Sequence, residues 1–220
     1  MTPVRFAKLR RVLRARQPDL TVLMDAVHKP HNISAILRSC DATGVYCAHA
    51  VDPDGDVSRN HMAAGGTGRY VGLEIHDTMH QACALLKDRS FSILAAHFSD
   101  QARDYREFDY TRPTAFLLGA ELDGVSVEAA TLADFHVVIP MEGLVASLNV
   151  SVAAALLLFE ARRQREQAGL YKESRLPQEE FDRVLFEWAQ PGIALRCRQQ
   201  GLPYPPLTVD GDLAANPFNP

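Results

Sequence analysis

The chain has 220 residues, 47% hydrophobic and 23% charged, which suits one globular domain with short arms and a core that needs no staples. Its four cysteines are scattered (Cys40, Cys47, Cys83, Cys197) and build no disulfide framework. The net charge of −4 hides an asymmetry: residues 1–40 carry eight Lys/Arg and two Asp/Glu, whereas residues 41–160 carry seven and seventeen.

The first segment, MTPVRFAKLRRVLRARQPDL, is basic and lacks the apolar core of a secretory leader. Leu20–Met24 predicts a strand. Asn32 is expected to cap a helix running through Thr43, with Ile33, Ile36, Leu37 and Cys40 on its apolar face and Gly44 ending it. Val45–Val51 predicts a strand, Asp52–Gly55 a turn, and Met62–Gly68 a loop of small residues. A strand over Tyr70–Ile75 is followed by a helix over Met79–Leu86, with Ala82, Leu85 and Leu86 inward, and a strand over Phe91–Ala96. Gln101–Arg112 is polar and fits neither period. Thr114–Leu118 and Phe135–Ile139 predict strands, with a short helix capped by Ser126 between them. Asn149–Gln167 predicts a long helix. Its apolar run, Val150–Phe159, is well short of the about 20 residues of a membrane span. Beyond Gly169, Pro177, Pro191, Pro203, Pro205 and Pro206 break up the tail and leave room for one helix, Gln178–Trp188.

Strands alternating with helices imply an α/β domain with a mostly parallel sheet. The expected division is a basic N-terminal helical arm (1–19), a catalytic domain (20–165) and a C-terminal extension (166–220). Clustered bases at Arg5, Lys8, Arg10, Arg11, Arg14 and Arg16 are the footprint of a polyanion partner. The same pattern also fits a solvated amphipathic helix, with Phe6, Leu9 and Val12–Leu13 at helical spacing and the bases facing out.

Several chemistries are absent. No G-x-G-x-x-G follows a strand, since Gly65–Gly68 precedes one, and there is neither a P-loop nor a G-x-S-x-G elbow. No metal site is expected: His28 and His31 are close, but Cys40 and Cys47 lack tight ligand pairing. Scattered cysteines and no leader imply a cytoplasmic, reducing compartment and no membrane.

Three segments lie where a strand hands over to a loop or helix, which is where α/β folds bind ligands. They are Asn32-Ile-Ser-Ala-Ile-Leu-Arg38, Gly119-Ala-Glu-Leu-Asp-Gly124, and Ile139-Pro-Met-Glu-Gly-Leu-Val-Ala-Ser-Leu-Asn149-Val-Ser. In this order and spacing they resemble the three motifs of the SpoU/TrmH family within the SPOUT class of RNA methyltransferases. The resemblance extends to VHKPHN before the first motif, DYTRP before the strand at 114, and GLPYP near the end. It covers most of the chain, through about Pro206.

That resemblance implies a SPOUT fold with a deep trefoil knot, a homodimer with sites at its interface, and S-adenosylmethionine as methyl donor with no metal. It implies methyl transfer to a ribose 2′-OH of tRNA, as in the branch acting on guanosine 18 of the D-loop. An rRNA-directed relative and a non-catalytic RNA-binding module are the alternatives. The implied catalytic set is Arg38, Asn32, Glu121, Ser147 and Asn149. Arg38 would bind RNA phosphate and stabilise alkoxide charge, since guanidinium hardly deprotonates. Ser147 and Asn149 would orient Arg38 and the ribose, while Glu121 either bonds near the site or anchors its loop. Ala96, Leu118, Gly119, Gly124, Ile139, Met141, Gly143 and Leu148 would hold the cofactor, largely by backbone. Arg5, Lys8, Arg10 and Arg11, with Arg162, Arg163 and Arg165, are the candidate RNA contacts. The apolar start of the long helix suits either a dimer interface or the core.

Overall fold

The computed structural model describes residues 1–52, 70–121, 123–145 and 147–218. The turn expected at 53–55 and the small-residue loop at 62–68 lie outside them. The chain divides into two compact units, residues 17–170 and residues 1–16 with 171–220.

In the larger unit the strands are β1 (Leu20–Asp25), β2 (Cys47–Val51), β3 (Gly72–His76), β4 (Ser92–Ala96), β5 (Arg103–Asp104), β6 (Thr114–Leu118) and β7 (Phe135–Val138). They form one sheet in the order β3-β2-β1-β6-β4-β7-β5, with all pairings parallel. The helices are α2 (Pro30–Thr43), α3 (Met79–Asp88), α4 (Val127–Leu132) and α5 (Val150–Gln167). β1 and β6 are buried along their whole lengths, as continuous apolar runs in a parallel sheet require.

Side-chain alternation sorts the core into two layers. Leu20, Val22, Met24, Leu94, Phe116 and Leu118 pack with Ile33, Ile36, Leu37 and Cys40 of α2 and Ala154, Leu157 and Leu158 of α5. Leu23, Ile93, Ala95 and Leu117 face the other way, onto Met79, Ala82, Cys83 and Leu86 of α3 and Ala129 of α4. Cys83 thus holds the buried place expected of Leu85, which is half-buried.

The polar stretch 101–112 resolves into the two-residue edge strand β5 and a 3-10 turn, Tyr105–Glu107. The start of α2 corrects the sequence reading. The N-cap is Lys29 with Pro30 in the first turn, so Asn32 lies inside the helix and caps nothing. Proline's fixed φ and missing N–H suit the first helical position, which draws the start toward it. At the other end Gly44, at φ 85°, closes the helix in the left-handed conformation.

The smaller unit holds α1 (Pro3–Arg14), α6 (Gln178–Ala189) and α7 (Pro191–Gln200). α7 departs from the single helix expected of this tail: Pro191 occupies a first-turn position and starts a helix instead of breaking one. Phe6, Leu9 and Leu13 of α1 are buried, as are Phe181, Val184, Leu185 and Trp188 of α6. Gly211 has a φ of 86°, and a Cβ there would lie 2.5 Å from the Phe6 ring. Among the described residues no helix is long and apolar enough to cross a membrane.

Candidate active site

The first and third motifs meet the second through one carboxylate. Asn32, 2% exposed in the first turn of α2, donates from Nδ2 to Glu121 Oε1 at 2.7 Å. Asn149 Nδ2 donates to the same oxygen at 2.6 Å and to Asn32 Oδ1 at 3.2 Å. Its own Oδ1 accepts from Ser151 N at 2.9 Å and Ser151 Oγ at 2.6 Å, which makes Asn149 the N-cap of α5. Lys29 Nζ pairs with the other oxygen, Glu121 Oε2. The Lys29 hydrogen bond, and after it that of Asn32, hold the Glu121 carboxyl below its ordinary range. Glu121 thus gathers three donors from two segments, the start of α2 and the N-cap of α5.

The loop carrying Glu121 is built tightly. Ala120 and Gly124 exchange backbone hydrogen bonds of 2.9 and 3.0 Å. A Cβ on Gly119 would lie 2.1 Å from the Gly124 carbonyl, and Gly124 itself has a φ of 68°. Both glycines are thus required by the closure of the loop itself. Asp25 Oδ2 accepts from Ser126 N at 2.8 Å and ties the far end of the loop to β1.

Beside this loop lies a cavity of about 350 Å³ at the carboxyl ends of β4, β6 and β7. Ala96, Leu118, Gly119, Gly124, Ile139, Met141 and Leu148 line it, as do Glu121 and Ser147. Gly143, of the same expected set, does not. His97, Phe98, Asp123 and Val137 also line it and were not singled out from the sequence. Their signal was positional, since each sits at or just beyond a strand's carboxyl end or in the second-motif loop.

Arg38 is exposed on α2 and is not among the lining residues. Asn149 does not orient it: its amide hydrogens go to Glu121 and Asn32, and its oxygen to Ser151. The guanidinium has no hydrogen bond or ion pair to any described residue.

Of the candidate RNA contacts, Arg5, Lys8, Arg10 and Arg11 are exposed on α1. Arg162 pairs with Glu166 at 3.3 Å and Arg163 with Glu160 at 2.6 Å on the outer face of α5. Arg165 is a correction. It is fully buried, ion-paired to Asp19 at 2.6 Å, and bonded to Gln17 and to the carbonyls of Tyr110, Asp19 and Arg112. Its place on the inner face of α5 makes it a tie within the core, closed to RNA.

The SpoU rRNA methylase family model matches residues 19–159, and the SpoU rRNA methylase C-terminal model matches residues 163–216. The chain is 49% identical to the Escherichia coli tRNA (guanosine(18)-2′-O)-methyltransferase over 218 residues, covering 98% of this chain and 95% of that one. It is 54% identical to the Thermus thermophilus enzyme of the same name over 187 residues, 85% of this chain and 96% of that one. The Aquifex aeolicus TrmH/SpoU tRNA modifying enzyme superposes with a TM-score of 0.77 at 40% identity, covering 86% and 97% of the two chains. The methyltransferase AviRb from Streptomyces viridochromogenes, solved with AdoMet, gives 0.60 at 29% identity over 70% of this chain and 60% of that one. With its parallel sheet and three converging motifs, the chain belongs to the SpoU rRNA methylase family.

Proposed function

We propose that this chain is a tRNA (guanosine(18)-2′-O)-methyltransferase, moving a methyl group from S-adenosylmethionine to the ribose 2′-OH of guanosine 18. The observation that carries this is the 49% identity to an enzyme of that name over nearly the full length of both chains.

The residues present fit the donor. The cavity lies within the range of about 300–1,000 Å³ usual for small-molecule sites, at the strand ends where α/β sheets take ligands. Leu118, Val137, Ile139 and Leu148 offer apolar walls for an adenine, and the 119–124 loop offers backbone groups. When bound, S-adenosylmethionine supplies a methyl already activated by a sulfonium leaving group. The protein's tasks are then alignment and help for a weakly acidic hydroxyl. Glu121, Asn32 and Asn149 hold the cavity wall to α2 and to the start of α5. Arg38, unpartnered among the described residues, is free to take an RNA phosphate and to stabilise negative charge developing on the 2′-oxygen. The hydroxyl proton passes to water.

Val152, Leu156 and Phe159 are 46%, 39% and 48% exposed along one face of α5. This stripe supports a homodimer joined through α5. A trefoil knot and a cytoplasmic location complete the reading.

The test incubates the protein with labelled S-adenosylmethionine and tRNA transcripts and maps the modified ribose. Methylation at guanosine 18, abolished by 2′-deoxyguanosine at that position, is the expected result. Label entering only ribosomal RNA would move the protein to the rRNA-directed branch. No cofactor binding at all would leave an RNA-binding module.

A further inference from the structure

At the β3 edge of the sheet, outside the cavity lining, the parallel pairing of β2 and β3 sets four chemistry-bearing side chains on one face. The register places Cys47 beside Gly72, His49 beside Glu74, and Val51 beside His76. Residues 47, 49, 74 and 76 therefore project to the same side. We propose that His49, Glu74 and His76 bind one divalent transition-metal ion, of the zinc type, which clasps the edge strand β3 to β2.

The geometry is already near what one ion needs. Two ligands of a tetrahedral zinc stand about 3.3–3.5 Å apart, given bonds of roughly 2.0–2.1 Å. His49 Nδ1 lies 3.0 Å from His76 Nε2 and 3.7 Å from Glu74 Oε2. The three ligand atoms all fall within 4.8 Å of one another. Two imidazoles and one carboxylate form a donor set suited to zinc, with a water completing four-coordination. His49 is 2% exposed and His76 half-buried. A ring nitrogen binds a metal in its uncharged form, and the 3.0 Å approach of the two rings needs an acceptor nitrogen on one of them. They now share one N–H···N bond. On metal binding its hydrogen moves to the other nitrogen of the same ring, so no net proton leaves.

Neighbours support the carboxylate from behind. The Cys47 thiol points at Glu74 Oε1 from 3.9 Å. Arg89 Nη1 reaches the two carboxylate oxygens at 3.4 and 3.5 Å. These contacts are long for a charge-assisted bond and hold the group loosely, leaving Oε2 turned toward His49. Asp77 follows His76 and adds a second negative charge.

The full-length protein, stripped with EDTA and dialysed at neutral pH, is titrated with zinc chloride by calorimetry and with cobalt(II) by visible absorption. The expected result is one site of micromolar or tighter affinity, with the intense cobalt bands of four-coordination. Affinity falls by about tenfold or more in His49→Gln and in His76→Gln, and is unchanged in His80→Gln, which alters an exposed histidine–glutamate pair on α3 and α4. Zinc at a hundredfold excess over Kd raises the melting temperature by about 5–10 °C and leaves that of His76→Gln unmoved. Should His49→Gln fail to fold, the half-buried His76 and a Glu74→Gln variant carry the comparison. Absence of a site, or a site that survives both His76→Gln and Glu74→Gln, overturns the proposal.

Discussion

Asn149 and Glu121 share a 2.6 Å hydrogen bond that joins the start of α5 to the loop after β6. Because Asn149 also caps α5, one side chain couples the stability of that helix to the shape of the cavity wall. Asn149→Ala loses the cap, at a cost of about 1 kcal/mol, and frees the Glu121 loop. Thermal unfolding should show the loss, and a cofactor titration should show weaker binding with it. A variant that unfolds earlier yet binds cofactor as tightly as wild type would separate the two roles.

Glu121 gives the network a pH dependence. Its folded pKa is depressed, by Lys29 first and Asn32 second. Its stabilisation is therefore complete above the unfolded value of about 4.3 and is lost as pH falls through the lower folded value. Glu121→Gln should melt earlier than wild type at neutral pH. The gap between the two melting temperatures should close below about pH 4. Melting curves taken across that range check it; a gap that stays constant would remove the carboxylate charge from the account.

Arg38 is exposed and outside the cavity lining, so its loss should spare the cofactor site. Arg38→Ala should lower methyl transfer by about 10²–10³-fold with cofactor affinity unchanged. Arg38→Lys should restore little, since an ammonium lacks the planar fork. Single-turnover assays on tRNA, beside a cofactor titration, measure both.

The basic helix α1 must be tested by substitution, because removing residues 1–16 would also remove the buried Phe6, Leu9 and Leu13. Changing Arg5, Lys8, Arg10 and Arg11 to Gln leaves that apolar face intact. If all four contact phosphates, the plot of log affinity against log salt should flatten by roughly 0.7–0.9 per contact. An unchanged slope with an unchanged melting temperature would make these residues a solvated face.

Arg165 should behave in the opposite way. Arg165→Ala takes the buried guanidinium from Asp19 and from the carbonyls of Tyr110 and Arg112. Breaking a buried pair of this kind costs about 3–5 kcal/mol. The salt dependence of tRNA binding should not change. Denaturant unfolding beside the salt titration distinguishes this from a surface arginine.

Local pattern made much of the molecule legible. Short apolar runs and 3.6-residue spacing placed β1, α2, β4, β6 and α5 close to their observed limits, and the three motifs marked the strand ends where the cavity lies. These features depend on residues near one another in the chain. What the tertiary structure decided depends on partners far away. Asn32 reads as a cap, yet it serves Glu121 and Asn149, 89 and 117 residues distant. Lys29 joins the same carboxylate with no spacing to announce it. Arg165 shares a basic run with Arg162 and Arg163, but helical rotation turns it inward to an aspartate 146 residues away. The His49–Glu74–His76 group exists only because β2 and β3 pair in parallel with that register. Composition and periodicity set which face of an element is buried; which polar group meets which is set by how the sheet orders its strands.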